Sequence, residues 1–131
     1  MELKIRKSVR EIVEALNEDE DILAAILFGS AARGENSATS DLDLSLVLMP
    51  NSYSALDLSE KKLKYASRFT VHISIFEQMP LYIRKRVLQE GKILFCRDED
   101  ALYEVAFKTI RELVHFEPTY LEYLKEVAHA G

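Results

Sequence analysis

Two aspartates two residues apart, Asp41 and Asp43, follow a Gly-Ser pair at Gly29 and Ser30 in the stretch FGSAARGENSATSDLDLSLVL, residues 28–48. In an extended chain successive side chains alternate faces, so these carboxylates project side by side, about 7 Å apart at their Cα atoms. Carboxylates that close repel one another unless a cation lies between them. Mg²⁺ suits the pair, because it takes carboxylate oxygens together with water and triphosphate oxygens. One or two such ions would neutralise the phosphates and orient an in-line attack at the α-phosphorus. Gly29 lacks a Cβ, which lets the backbone turn sharply and approach a ligand closely. Ser30 is placed to cap a short helix over Ala31 and Ala32, where its hydroxyl and the exposed N–H groups suit a phosphate. Arg33 is near enough in sequence to add positive charge, and Ser40 precedes Asp41 where it can pin the start of the strand. A Gly-Ser turn or an Asp-x-Asp strand edge is commonplace by itself; the combination at this spacing points to a site for metal and phosphate.

Such a site needs elements to hold it. Residues 22–28, ILAAILF, form a short apolar run ending at Gly29 and fit a buried strand. Residues 41–48 alternate, with Leu42, Leu44, Leu46 and Leu48 on one face and Asp41, Asp43, Ser45 and Val47 on the other. Residues 69–76 alternate again, setting Phe69, Val71, Ile73 and Ile75 against Thr70, His72, Ser74 and Phe76. KILFC is a fourth strand candidate. Ile5, Val9, Ile12, Val13 and Leu16 recur at helical spacing, which predicts a helix over 4–17, and a second is expected over 54–67. Pro80 stands where a third would begin and Gly91 where it would stop. Residues 99–115 and 119–129 read as two final helices broken near Pro118. The expectation is an α/β (α+β) fold: a small mixed β-sheet flanked by helices, one face covered and the other more open, the open face carrying Asp41, Asp43 and His72. Residues 1–131 are expected to form a single domain, with a core over about 20–96 and a C-terminal helical extension over 99–129.

Composition narrows the classes. The chain has 131 residues, 48% hydrophobic and 30% charged, as a globular domain requires. No apolar run reaches the roughly 20 residues of a membrane span, and the N-terminus lacks the apolar stretch of a secretory signal. A single cysteine, Cys96, forms no internal disulfide, so a cytoplasmic location is expected. It reads as a small buried hydrophobe at a strand end. The net charge of -5 gives no direct evidence for a nucleic-acid partner. The charge is uneven, however: eight Lys/Arg and two acids fall in residues 61–92, and eight acids with four Lys/Arg in residues 97–131.

Gly29-Ser30, Arg33-Gly34 and Ser40-Asp41-Leu42-Asp43-Leu44 together resemble the signature of the minimal nucleotidyltransferases (MNT), members of the polymerase-β-like nucleotidyltransferase superfamily. PLYIRKRVLQEGKILF, residues 80–95, is similar to the helix and strand that follow in that family. The resemblance covers most of residues 20–96. It implies Mg²⁺ dependence and transfer of a nucleoside monophosphate from a triphosphate, often ATP. It implies that Gly29 and Ser30 hold phosphate and that Asp41 and Asp43 bind metal. Many members of the family are antitoxins paired with a small helical HEPN-type toxin, which some of them block by adding AMP to a tyrosine.

One departure stands out. Such enzymes usually carry a third carboxylate on the next strand, where this chain has His72. Histidine is a poor Mg²⁺ ligand but can act as a general base near neutral pH. Two main readings follow, ahead of a third in which the transferase acts on a small molecule such as an antibiotic. In the first, an active transferase modifies a hydroxyl of a macromolecular partner such as a toxin. In the second, the site is degraded and the protein neutralises its partner by contact. Glu60 and Glu77 are the candidate replacement carboxylates. The final helices carry more apolar residues than one packing stripe uses, so residues 99–129 are expected to help form an interface, with a toxin or in a homo-oligomer; the alternative is that the monomer covers both faces itself.

Overall fold

The computed structural model describes the backbone of residues 2–29 and 42–130, and the side chains of residues 9–29 and 42–115. The element order is α1 (Glu2–Glu18), β1 (Ile22–Phe28), β2 (Leu42–Leu48), α2 (Ala55–Arg68), β3 (Val71–Ile75), a short 3₁₀ turn (Phe76–Gln78), α3 (Leu81–Glu90), β4 (Lys92–Cys96) and α4 (Glu99–Ala130). The strands lie in the order β3-β2-β1-β4. β1 pairs antiparallel with β2 and β4, while β2 pairs parallel with β3. The sheet is therefore mixed, and α2 is the crossover that the parallel pair requires.

Side-chain alternation makes two cores. Leu42, Leu44, Leu46 and Leu48 of β2 and Val71, Ile73 and Ile75 of β3 face one side, where they pack with Ile12 and Leu16 of α1 and Tyr65 of α2. The opposite face is the more open of the two, as the sequence suggested, but much of it is covered as well. Leu23, Ala24, Ile26 and Val47 lie beneath Phe76, Val87 of α3 and Leu102 of α4. Leu23, Ala24 and Ile26 of β1 belong to this side, and only helices on both faces keep β1 from water. The exposed part of the face includes the end that carries Asp43 and His72, both of which are solvent-accessible.

α2 begins with a capping box. The Ser54 hydroxyl accepts from the Asp57 N–H and the Asp57 carboxylate accepts from the Ser54 N–H, both at 3.0 Å. α3 is capped by Pro80 before it and Gly91 after it, as the sequence indicates. Gly91 has an ordinary negative φ, but a Cβ there would collide with Ile26 Cγ2 and the Val87 carbonyl, so close packing is its reason. The expected break at Pro118 does not occur: α4 is one helix from Glu99 to Ala130. A proline removes one backbone hydrogen bond, and a helix with turns established on both sides can continue through it. Among the described residues no helix is long and apolar enough to cross a membrane.

At the end of the sheet away from Asp43, a polar cluster ties α1, β1 and α2 together. The Tyr65 hydroxyl donates to Asp19 Oδ2 at 2.6 Å, and Lys61 Nζ reaches Asp19 Oδ2 at 2.9 Å and Asp21 Oδ2 at 3.0 Å. Burial alone would raise the Asp19 pKa, but the hydrogen bonds from Tyr65 and Lys61 outweigh it and hold the carboxyl at about 2. Burial, reinforced by the bond to Asp19, raises the Tyr65 pKa in turn. Arg97 closes the C-terminus of α1, donating from Nη2 to the carbonyls of Leu16, Asn17 and Asp19 at 3.1, 3.0 and 3.0 Å, and from Nε to Ile22 at 2.9 Å. Those helix-end carbonyls lack helical partners of their own.

Candidate functional site

β1 ends in a turn at Gly29, whose φ of 81° lies in the left-handed region that favours glycine. The β1–β2 register sets Phe28 opposite Asp43, so this turn and the carboxylate share one end of the sheet. A Cβ on Gly29 would lie 2.7 Å from Asp43 Oδ2. Glycine is thus required twice, by the backbone angle and by the carboxylate packed against it. On the other side of β2, the parallel register pairs Asp43 with His72. His72 Nδ1 lies 3.5 Å from Asp43 Oδ1, with the side chains 70% and 36% exposed respectively. Ser45 and Ser74 form the next same-face pair. Ser45 is fully buried, its hydroxyl 3.6 Å from Met79 Sδ.

The structure thus brings Gly29, Asp43 and His72 together. Ser30, Arg33, Ser40 and Asp41 lie outside the described residues. Asp43 presents carboxylate oxygens, the donors Mg²⁺ prefers, next to a turn with no side chain of its own to exclude phosphate. His72 presents nitrogen, which the ion disfavours. The donor chemistry therefore fits the metal on β2 and not on β3. Among the described residues no group of three or more His, Cys, Asp or Glu side chains converges as a metal cage.

Neither candidate replacement carboxylate is near. Glu77 Oε1 accepts the Leu48 N–H at 3.1 Å, at the far end of β2 from Asp43. Five residues of strand separate the two positions, about 16 Å. Burial of that carboxyl raises its pKa. Glu60 lies on α2, beside the Asp21 and Lys61 cluster. A groove of about 1210 Å³ also lies at this far end, lined by Met49, Tyr53, Glu77, Arg84, Phe107 and Glu112 among others. It includes none of Gly29, Asp43 and His72, and the chemistry argued from residue types belongs to the opposite end of the sheet.

The model of the family described as polymerase beta, nucleotidyltransferase, matches residues 10–100. The chain belongs to that family. It is a nucleotidyltransferase of the minimal type, and the mixed sheet with its Gly29 turn and Asp43 strand is that fold. It is 32% identical over 87 residues, 66% of each chain, to MJ1547 of Methanocaldococcus jannaschii, a protein named for protein adenylyltransferase activity. A crystal structure of a toxin–antitoxin with AMP-PNP contains a chain that matches 97% of this one over 98% of its own length, with a TM-score of 0.67 and 22% identity. A structure of tri-AMPylated Shewanella oneidensis HEPN toxin in complex with MNT antitoxin contains another, matching 94% of this chain over 98% of its own length, with a TM-score of 0.67 and 19% identity. At those identities the likeness is one of fold.

Proposed function

We propose that this nucleotidyltransferase transfers AMP from ATP to a hydroxyl of a macromolecular partner, and that it serves as the antitoxin of a HEPN-type toxin in the cytoplasm. The observation that carries the reading is the Asp43 carboxylate packed against the bare backbone turn at Gly29, at the solvent-open end of the sheet. A triphosphate lying along that turn meets no side chain at Gly29, and Ser30, Arg33 and Ser40 follow in sequence to hold its oxygens. Asp41 and Asp43 are the residues that would hold Mg²⁺, which, when bound, offsets phosphate charge and aligns the α-phosphorus for attack. His72, within 3.5 Å of Asp43, is placed to take the proton of an incoming hydroxyl. The described part of the fold offers no separate module for a second substrate, which favours a partner that brings its own acceptor. The names carried by the similar proteins support the same reading.

The test is incubation with each nucleoside triphosphate, Mg²⁺ and the product of the neighbouring gene, followed by intact mass. The partner should gain the mass of AMP, only with ATP and only when Mg²⁺ is present. No mass gain with any triphosphate, alongside neutralisation of the partner, would instead establish a second reading, in which the protein acts by contact alone. The observation favouring that reading is the nitrogen ligand His72 in register with Asp43, where a third carboxylate is expected.

A further inference from the structure

The long C-terminal helix α4 uses one side for the core and leaves a second apolar stripe outside it. Leu102, Thr109 and Leu113 are buried against the body of the molecule. Tyr103, Phe107, Ile110 and Val114 are 62%, 62%, 50% and 61% exposed. Their spacing of four, three and four residues gathers them into an arc of about 60°. That is the heptad seam of a helix built to pair with another helix. Four large apolar side chains in one exposed row are not explained by packing within the monomer.

We propose that this stripe is a homodimer interface in which α4 pairs antiparallel with α4 of a second copy, independently of the nucleotide chemistry. The argument for a second copy is that the surface is complementary to itself. A two-fold axis between positions 108 and 109 sets Phe107 against Ile110 of the second copy and Tyr103 against Val114 of the second copy. Each large aromatic then meets a branched aliphatic side chain, as knobs-into-holes packing requires. Glu104 and Arg111 are exposed and lie seven residues apart on the same edge of the stripe. The same axis sets Glu104 on the shared edge of the seam two residues, about 3 Å along the helix, from the level of Arg111 of the second copy, within reach of these long side chains, and the reverse contact follows by symmetry. An isologous interface needs this reciprocity, in which residue i meets j and j meets i. The described stripe offers four large apolar side chains per copy, so the dimer is expected to be weak and to dissociate in the micromolar range.

Sedimentation velocity on the full chain, from low to several hundred micromolar, tests the proposal. The wild type should pass reversibly from monomer to dimer. Phe107→Glu should stay monomeric throughout with an unchanged circular dichroism spectrum. Glu104→Arg and Arg111→Glu should each weaken the dimer about tenfold, because each places like charges across both symmetric contacts. The double variant should restore it. That rescue decides the matter even if Phe107→Glu fails to fold. A wild type that remains monomeric at the highest concentration overturns the proposal, as does a dimer indifferent to the charge reversals. Monomeric wild type whose Phe107→Glu form loses a co-expressed helical partner assigns the stripe to that partner and overturns the homodimer.

Discussion

At Gly29 one residue type meets two separate demands, and they can be measured separately. An alanine there must adopt a φ of 81° and must displace the Asp43 carboxylate. The backbone angle alone costs about 1–2 kcal/mol for a residue with a Cβ. Gly29→Ala should therefore lower the unfolding free energy by at least that amount in urea titrations and weaken nucleotide binding through the moved carboxylate. The Asp41→Asn, Asp43→Asn pair should lose binding without losing stability. It should abolish Mg²⁺-dependent ATP binding in calorimetry with the fold retained, since removing two like charges relieves their repulsion. Unchanged ATP affinity would remove both aspartates from the metal site. His72→Asp separates the two functional readings. If the nitrogen ligand has cost the site its metal, an oxygen ligand in register with Asp43 should tighten Mg²⁺ binding and raise transfer to the partner. Loss of a measurable wild-type activity would instead give His72 a role of its own.

At the scale of elements, the end of the sheet opposite Asp43 is held by polar contacts that the apolar pattern does not reveal. Asp19 has an ordinary pKa of 3.8 and one of about 2 in the fold. A carboxyl with a depressed folded pKa stabilises the protein above its unfolded value, and that stabilisation is lost as pH falls through the folded value. The side chain is only 7% exposed, so the shift converts to about 2 kcal/mol, present above pH ~4 and lost toward pH ~2. Denaturation curves across that range should show the acid slope in the wild type and a weaker one in Asp19→Asn. Arg97→Ala leaves the carbonyls of Leu16, Asn17, Asp19 and Ile22 without this donor and should cost about 2–4 kcal/mol. Lysine should rescue it only in part, because a single ammonium cannot reproduce the planar fork.

For the whole molecule, α4 decides what can be removed. The sequence sets the core within about 20–96 and treats the helices after Asp98 as an addition. In the structure, Leu102 belongs to the core over Leu23, Ala24, Ile26 and Val47, and Leu113 is 8% exposed. Truncation after Asp98 would open that face to water. The shortened chain should be insoluble, or unfolded by circular dichroism, rather than a folded nucleotide-binding remainder. The monomer covers the side of α4 with Leu102 and Leu113 and leaves the side with Phe107 exposed, the side proposed above as an interface.

Local pattern was enough for much of this protein. Alternation at Leu42–Leu48 and Val71–Ile75 gave strands and the face each would bury, because side-chain direction in a strand depends only on parity along the chain. Pro80 and Gly91 bounded α3 because their effects are confined to the adjacent backbone. Gly29 and Asp43 were legible as partners because residue type and spacing carried the chemistry. What parity cannot supply is which strands become neighbours. Only the β3-β2-β1-β4 order placed His72 beside Asp43 and sent Glu77 to the other end of β2. The Asp19, Lys61 and Tyr65 cluster was likewise invisible, since Asp19 lies more than 40 residues from both of its partners. Tertiary packing also overrode the proline signal in α4 and covered part of the sheet face that alternation had read as the more open one. A strand's period states which way its side chains point, while burial depends on what the rest of the chain brings to meet them.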